Sequence, residues 1–158
     1  MDADLDSAGV KFPPPFAFVG TLIVGLAIDQ FMWWHLSIPI GHSLRRMIGW
    51  IAVVAGFAIL LTAVGLFKKA NTATRPWKTP SHFVTDGVYR WTRNPMYLGM
   101  VLAYAGVAIL CNSLVTLLLL APLFVWITRE VIEREEAYLA VKFGAPYLSY
   151  KAATRRWF

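Results

Sequence analysis

The chain has 158 residues, 58% of them hydrophobic, and a formal net charge of +6. That length suits one domain, and the apolar share lies well above the soluble norm. The single cysteine, Cys111, excludes an internal disulfide and any multi-cysteine metal cluster, so no metal is expected.

In chain order, the first ten residues contain Asp2, Asp4 and Asp6 and no cation, which reads as a tail rather than a cleaved leader. Pro13-Pro14-Pro15 then makes a stiff lead-in, with a proline tolerated in a first helical turn. The first apolar run covers residues 16–38 and is interrupted by Asp29, Gln30 and His35. An ionisable residue inside a span is a functional candidate by default. Asp29, however, lies about one turn before Trp33-Trp34, and tryptophans mark the membrane interface. The favoured reading is a carboxylate that reaches the far interface and pairs with Arg45, Arg46 or His35.

Residues 47–67 are 21 positions without a charge, enough to cross a hydrocarbon core of about 30 Å. Runs at 96–110 and 114–128 follow, separated only by Cys111-Asn112-Ser113. That separator is too short for anything but the turn of a helical hairpin, so these two spans are expected to be antiparallel neighbours. Small residues recur in the second span (Gly49, Ala52, Ala55, Gly56, Gly65) and in the third (Gly99, Ala103, Gly106), and such spacing lets helices approach closely.

In the fourth span Pro122 frees the carbonyl of Leu118 and is expected to kink the helix. Strong helix formers continue past Thr128 until Gly144 and Pro146 end the pattern. A helix over 114–143 would be about 45 Å long and would project beyond the bilayer. It would set Arg129, Glu133 and Glu136 on one face, where salt bridging on a solvated helix accounts for them.

The loop at 68–94 is 27 residues long and rich in order-forming residues such as Trp77, Phe83, Tyr89 and Trp91. Connections of that length in compact proteins are usually functional or disordered, and this one is expected to be folded. With four spans, 13 of the Lys and Arg residues fall on one side and only Arg45 and Arg46 on the other. The positive-inside rule then puts both termini and the long loop in the cytoplasm, at an inner membrane. The basic residues flank apolar spans and face anionic headgroups; they form no separate nucleic-acid-binding domain.

The expected fold is therefore all-α and polytopic, with about four transmembrane helices. A two-helix part covers 1–67, and a second part at 68–158 includes a folded cytoplasmic region built from the central loop and the C-terminal helix.

Two motifs in the second part carry a resemblance. Arg93-Asn94-Pro95-Met96-Tyr97-Leu98-Gly99 is followed, after the hairpin, by Glu135-Glu136, Leu139, Phe143-Gly144, Tyr147 and Tyr150. Together they resemble the isoprenylcysteine carboxyl methyltransferase and phospholipid methyltransferase superfamily. The resemblance covers about 75–158 and implies a pocket for S-adenosylmethionine at the cytoplasmic membrane surface, with a tunnel for a lipid-like acceptor. Carried over by position, the cofactor contacts would be His82, Phe83, Val84, Tyr89, Asn94, Pro95, Met96, Tyr97 and Glu135.

Independent chemistry agrees with those positions. Pro95 suits the first turn of a helix whose unpaired amides face the loop. Tyr89 and Tyr97 can enclose an adenine or line the wall around a sulfonium. Glu135 can accept from a hydroxyl or ammonium group and favours a nearby cation. Each residue alone has a plainer reading, as interfacial belt or solvated helix face; the joint pattern favours the functional one.

Two positions depart from the family. Asn94 replaces the usual His, and an amide cannot exchange a proton near neutral pH. Val131 stands where the eukaryotic prenylcysteine enzymes resemble one another in having a substrate-contacting Arg, which weakens the case for a carboxylate acceptor. Arg129 and Arg134 are the nearest candidates for contacting the substrate.

The expected function is methyl transfer from S-adenosylmethionine to a lipophilic small molecule or lipid, with the acceptor atom (oxygen, nitrogen or sulfur) left open and no catalytic base assigned. Two other readings exist. A small four-helix transporter would use Asp29 as its coupling carboxylate. A non-catalytic adaptor that keeps the fold would draw support from Asn94.

Overall fold

The computed structural model describes residues 12–31, 36–69 and 83–157, and among them every regular element is helical. The helices are α1 (Pro14–Phe31), α2 (His42–Lys69), α3 (Pro95–Leu110), α4 (Leu114–Ile127), α5 (Glu133–Phe143) and α6 (Ala145–Ala153). A 3-10 turn, Gly87–Arg90, precedes α3, and a π-helical turn, Thr128–Ile132, joins α4 to α5. Among the described residues three helices are long and apolar enough to cross a membrane: α1, α2, and the continuous run Leu114–Phe143. The fourth, α3, is a shorter apolar helix of 16 residues. The chain is thus an all-α polytopic membrane protein, as its apolar runs predict. The charge-rich sequence of α5 (EREEAYLAVKF) lies beyond the membrane-crossing part of its run.

Glycines decide how α2 meets α3. Gly49 and Gly56 in α2 are seven residues apart, as are Gly99 and Gly106 in α3. A Cβ added at Gly56 would lie 2.6 Å from the Ala103 amide nitrogen and 2.7 Å from the Gly99 carbonyl oxygen. One added at Gly106 would lie 2.7 Å from the Val53 nitrogen and 2.8 Å from the Gly49 oxygen. Backbone therefore touches backbone along this seam, the close approach that small residues permit.

The far end of the bundle is stitched by polar contacts. The Leu114 amide donates to the Leu36 carbonyl at 3.0 Å, and the Ile38 amide to Asn112 Oδ1 at 3.1 Å. Arg45 donates to the Leu110 carbonyl at 3.2 Å and more weakly to Ile109. It so meets the orphan carbonyls at the C-terminus of α3, and not Asp29 as the sequence suggested. Among the described residues Asp29 Oδ1 is buried without a hydrogen-bond partner, and His35 lies outside them.

Pro122 sits within α4, and the departure from α geometry comes further on, at the π turn. A π turn holds an extra residue, so the register of α5 differs from that of one regular helix. Arg129, Glu133 and Glu136 consequently do not form the expected bridged face. Arg129 is exposed, and the two glutamates instead bind Arg156 near the C-terminus. Phe18 of α1, Tyr97 and Tyr104 of α3, Ile127 of α4, and Val131 and Ile132 of the π turn form the main buried cluster.

Candidate active site

A cavity of about 930 Å³ runs between the helices and beneath α6. Its inner leg is apolar, with Leu60 and Val64 from α2, Met100 and Val107 from α3, and Leu22 from α1 in its wall. Its outer end is polar, with Tyr89, Arg93, Asn94, Glu135, Tyr147 and Tyr150. The cavity also opens sideways. α1 packs on α4 and α2 on α3, but α1 and α2 hardly touch. Phe16 and Val19 of α1 and Phe57 and Leu61 of α2 both line the cavity and face the outside. An amphiphile with one polar end fits such a shape.

The polar end is assembled from four stretches. The 3-10 turn supplies Tyr89, buried against Phe67 at the end of α2 with ring centroids 5.4 Å apart. The start of α3 supplies Asn94 and Tyr97; Pro95 occupies its first turn, where no amide is lost. α5 supplies Glu135, and Tyr97 donates its hydroxyl to Glu135 Oε1 at 2.7 Å. α6 supplies Tyr147 and Tyr150, against which Phe83 packs at 5.8 and 6.0 Å. Tyr150 also donates to the Tyr89 carbonyl at 2.7 Å, joining α6 to the 3-10 turn.

The adjacent glutamates have opposite surroundings. Burial pushes the Glu135 carboxyl up to about 7; the Tyr97 hydrogen bond opposes that rise and the charge of Glu136 adds to it. Burial would raise Glu136 as well, yet its carboxyl is held below the usual range by hydrogen bonds from Arg156 and the charges of Arg93, Arg156 and Lys151. Arg156 grips both of its oxygens, Nε to Oε1 at 3.1 Å and Nη2 to Oε2 at 3.0 Å. Arg93 Nη2 lies 3.1 Å from Oε1, and Lys151 Nζ 3.3 Å from Oε2.

The same region closes the cavity. Arg93 donates through Nη1 to the Lys151 carbonyl at 2.7 Å and through its amide to the Arg155 carbonyl at 3.0 Å. Thr92 donates to the Arg156 carbonyl at 2.7 Å. The C-terminal segment is thereby clasped to the residues just before α3. Tyr89, Tyr147 and Tyr150 all hold their protons well above the ordinary phenol range through burial, so they serve as neutral donors and aromatic walls.

Among the described residues two buried donors remain without partners, Arg93 Nε and Asn94 Nδ2, and both residues line the cavity. Unpaired buried donors are costly, and a ligand with acceptor atoms at this end of the cavity could satisfy them.

Of the residues singled out from sequence, Phe83, Val84, Tyr89, Asn94, Pro95, Met96, Tyr97 and Glu135 all border this one cavity. His82 lies outside the described residues. Arg129 and Arg134 are exposed and do not border it; Arg134 pairs with Glu130 on the surface. Arg93, Tyr147 and Tyr150 belonged to the two motifs but were not assigned as cofactor contacts, and the α1 wall belonged to neither motif. For Arg93 a signal was present, a cation directly before an apolar helix in a chain with a lone acidic pair after the hairpin.

Fold and cavity together define an integral membrane protein with an amphiphilic chamber capped by polar groups at one membrane surface. The chain belongs to the phospholipid methyltransferase family, which matches residues 44–146, well over half of its length. It is similar to protein-S-isoprenylcysteine O-methyltransferases. The Mus musculus protein is 37% identical over 119 residues, covering 73% of this chain and 36% of that protein. The Xenopus laevis protein is 38% identical over 119 residues, covering 67% and 40% respectively. The Schizosaccharomyces pombe protein is 35% identical over 68 residues, covering 43% and 29%. The match thus spans well under half the length of these relatives. No solved structure matches the chain.

Proposed function

We propose that this protein is an S-adenosylmethionine-dependent methyltransferase of the membrane, acting on a lipophilic acceptor. The observation that carries the reading is the composition of the polar end. A half-buried carboxylate, two unpartnered buried donors and two tyrosine rings meet in a chamber whose remaining length is apolar.

These groups fit the cofactor's parts. Glu135, when ionised, suits its cationic ammonium or sulfonium. Tyr89 and Tyr97 give aromatic walls for the purine or the positive sulfur. Asn94 Nδ2 and Arg93 Nε supply donors for a purine edge or a carboxylate. When bound, the cofactor supplies an electrophilic methyl group on a positively charged sulfur. The chain's part is to orient the two reactants and exclude water, and positioning alone lowers a barrier of this kind by several kcal/mol. The apolar leg and its side opening suit an acceptor that stays dissolved in the bilayer. The lopsided distribution of Lys and Arg supports a cytoplasmic location for the capped end.

Thermal unfolding of the purified protein with S-adenosylhomocysteine tests the reading. At 100 times its dissociation constant the ligand should add about 2.7 kcal/mol. Folded protein that shows no shift at millimolar ligand would overturn it. Labelled methyl transfer into membrane lipid then separates an enzyme from a protein that only holds the cofactor.

A further inference from the structure

A second, shallower groove lies outside the chamber. It measures about 350 Å³ and is lined by Arg90, Trp91, Ala153, Thr154 and Arg155. Its two arginines differ from the ion-paired cations near the cap. Arg93, Lys151 and Arg156 pair with Glu136, and Arg134 pairs with Glu130. Among the described residues neither Arg90 nor Arg155 meets a carboxylate, and both are exposed. Between them Trp91 is 82% exposed, an indole that the protein core does not cover.

Depth identifies the surroundings. The 3-10 turn carrying Arg90 packs on the last turns of α2, where a Cβ on Gly87 would lie 2.8 Å from Leu66 Cδ1. The exposed pair Lys68 and Lys69 ends α2 at that level, and Trp91 comes four residues before the first residue of α3. This is headgroup depth, where tryptophan settles and where unpaired arginines meet lipid phosphate.

We propose that this groove binds the phosphodiester of an anionic phospholipid. The guanidinium groups of Arg90 and Arg155 would hold the phosphate oxygens, and the Trp91 ring would lie along the glycerol and upper acyl chains. A free phosphate ion shares the first contact and lacks the second, which is why the lipid is the assigned occupant. The groove bridges the 3-10 turn and the C-terminal segment, the two stretches the clasp ties together, so a lipid here braces the cap of the chamber.

Native mass spectrometry of the purified protein tests this with phosphatidylglycerol and phosphatidylcholine as probes. Wild type should retain phosphatidylglycerol selectively and unfold at a higher temperature with it. In Arg90→Gln/Arg155→Gln that selectivity should fall about tenfold or more, and the thermal gain should vanish while the lipid-free midpoint stays unchanged. Undiminished selectivity in the double variant, or equal retention of both lipids by wild type, overturns the proposal. Displacement of the lipid by millimolar inorganic phosphate also overturns it, in favour of a simple phosphate site.

Discussion

Between α2 and α3 the contact is made by what is missing: four glycines let carbonyl and amide groups approach within reach of any added carbon. Over the cavity the contact is made by what is present, with Arg93, Lys151 and Arg156 converging on the single carboxylate of Glu136. The first kind of joint suits the bilayer, where charged groups are costly and helices associate through shape. The second suits the aqueous surface, where segments far apart in sequence must be drawn together without a large apolar core. One joint tolerates no added atom, the other no lost partner.

The sharpest break should come at the charged joint. Glu136→Gln leaves Arg93, with a side chain only 10% exposed, without its counter-charge. Removing one partner of a buried pair typically costs about 3–5 kcal/mol, and denaturant unfolding in detergent should show it. Glu133→Gln serves as the control, because Glu133 touches the same Arg156 from an exposed position. Its loss should stay within about 1 kcal/mol. Similar losses from the two changes would mean that Glu136 is not the hub.

The glycine joint should yield next. Gly56→Ala pushes a methyl group into the backbone of α3 and should cost about 1–3 kcal/mol through overpacking. Gly20→Ala, with nothing within 4 Å, should cost nothing measurable. A neutral Gly56→Ala in thermal unfolding would show that α2 and α3 separate freely.

The smallest effect concerns Glu135, which lies between the two joints and belongs to neither. Its folded pKa is raised to about 7 from an ordinary 4.5, mainly by burial. The sign follows from tighter proton binding in the folded protein: its contribution to stability is fully present below about 4.5 and is lost as pH rises through about 7. Affinity for a cationic cofactor runs the other way, since only the ionised carboxylate attracts it. From pH 6 to pH 8 that affinity should rise about tenfold in wild type and stay flat in Glu135→Gln. Parallel pH profiles for the two proteins would remove Glu135 from contact with the cation.

The two joints also differ in how legible they are in the chain. Gly49, Gly56, Gly99 and Gly106 announce close helix packing by their spacing alone, because each pair lies on one helix and period is a local property. Spans at 47–67 and 96–110 were likewise readable from apolar length, though α2 proved longer at both ends. The partners of Glu136 were not readable. Arg156 is 20 residues away; Gly144 and Pro146 mark a break in the helix, but nothing local says that the turn at Gly144, with φ of +57°, brings Arg156 back. The expected Arg129–Glu133–Glu136 face failed for a local reason of another kind. It assumed 3.6 residues per turn across 128–132, and one π turn there shifts everything downstream. The residues around the cavity were legible as a set because two motifs fixed them, while the role of Arg93, the first residue of one motif, was hidden by its ordinary appearance as an interfacial cation.

The slight contact between α1 and α2 has a kinetic consequence. On the proposed function, a chamber with its side open to the acyl region would take its acceptor from the leaflet, so the concentration that matters would be a mole fraction in a two-dimensional solvent. Adding inert lipid or detergent at fixed total acceptor would slow such a reaction, whereas diluting the whole suspension with buffer would leave the surface mole fraction unchanged. The water-soluble donor, arriving at the capped end, would obey ordinary molarity. One protein would thus keep two concentration scales, one for each mouth of the same cavity.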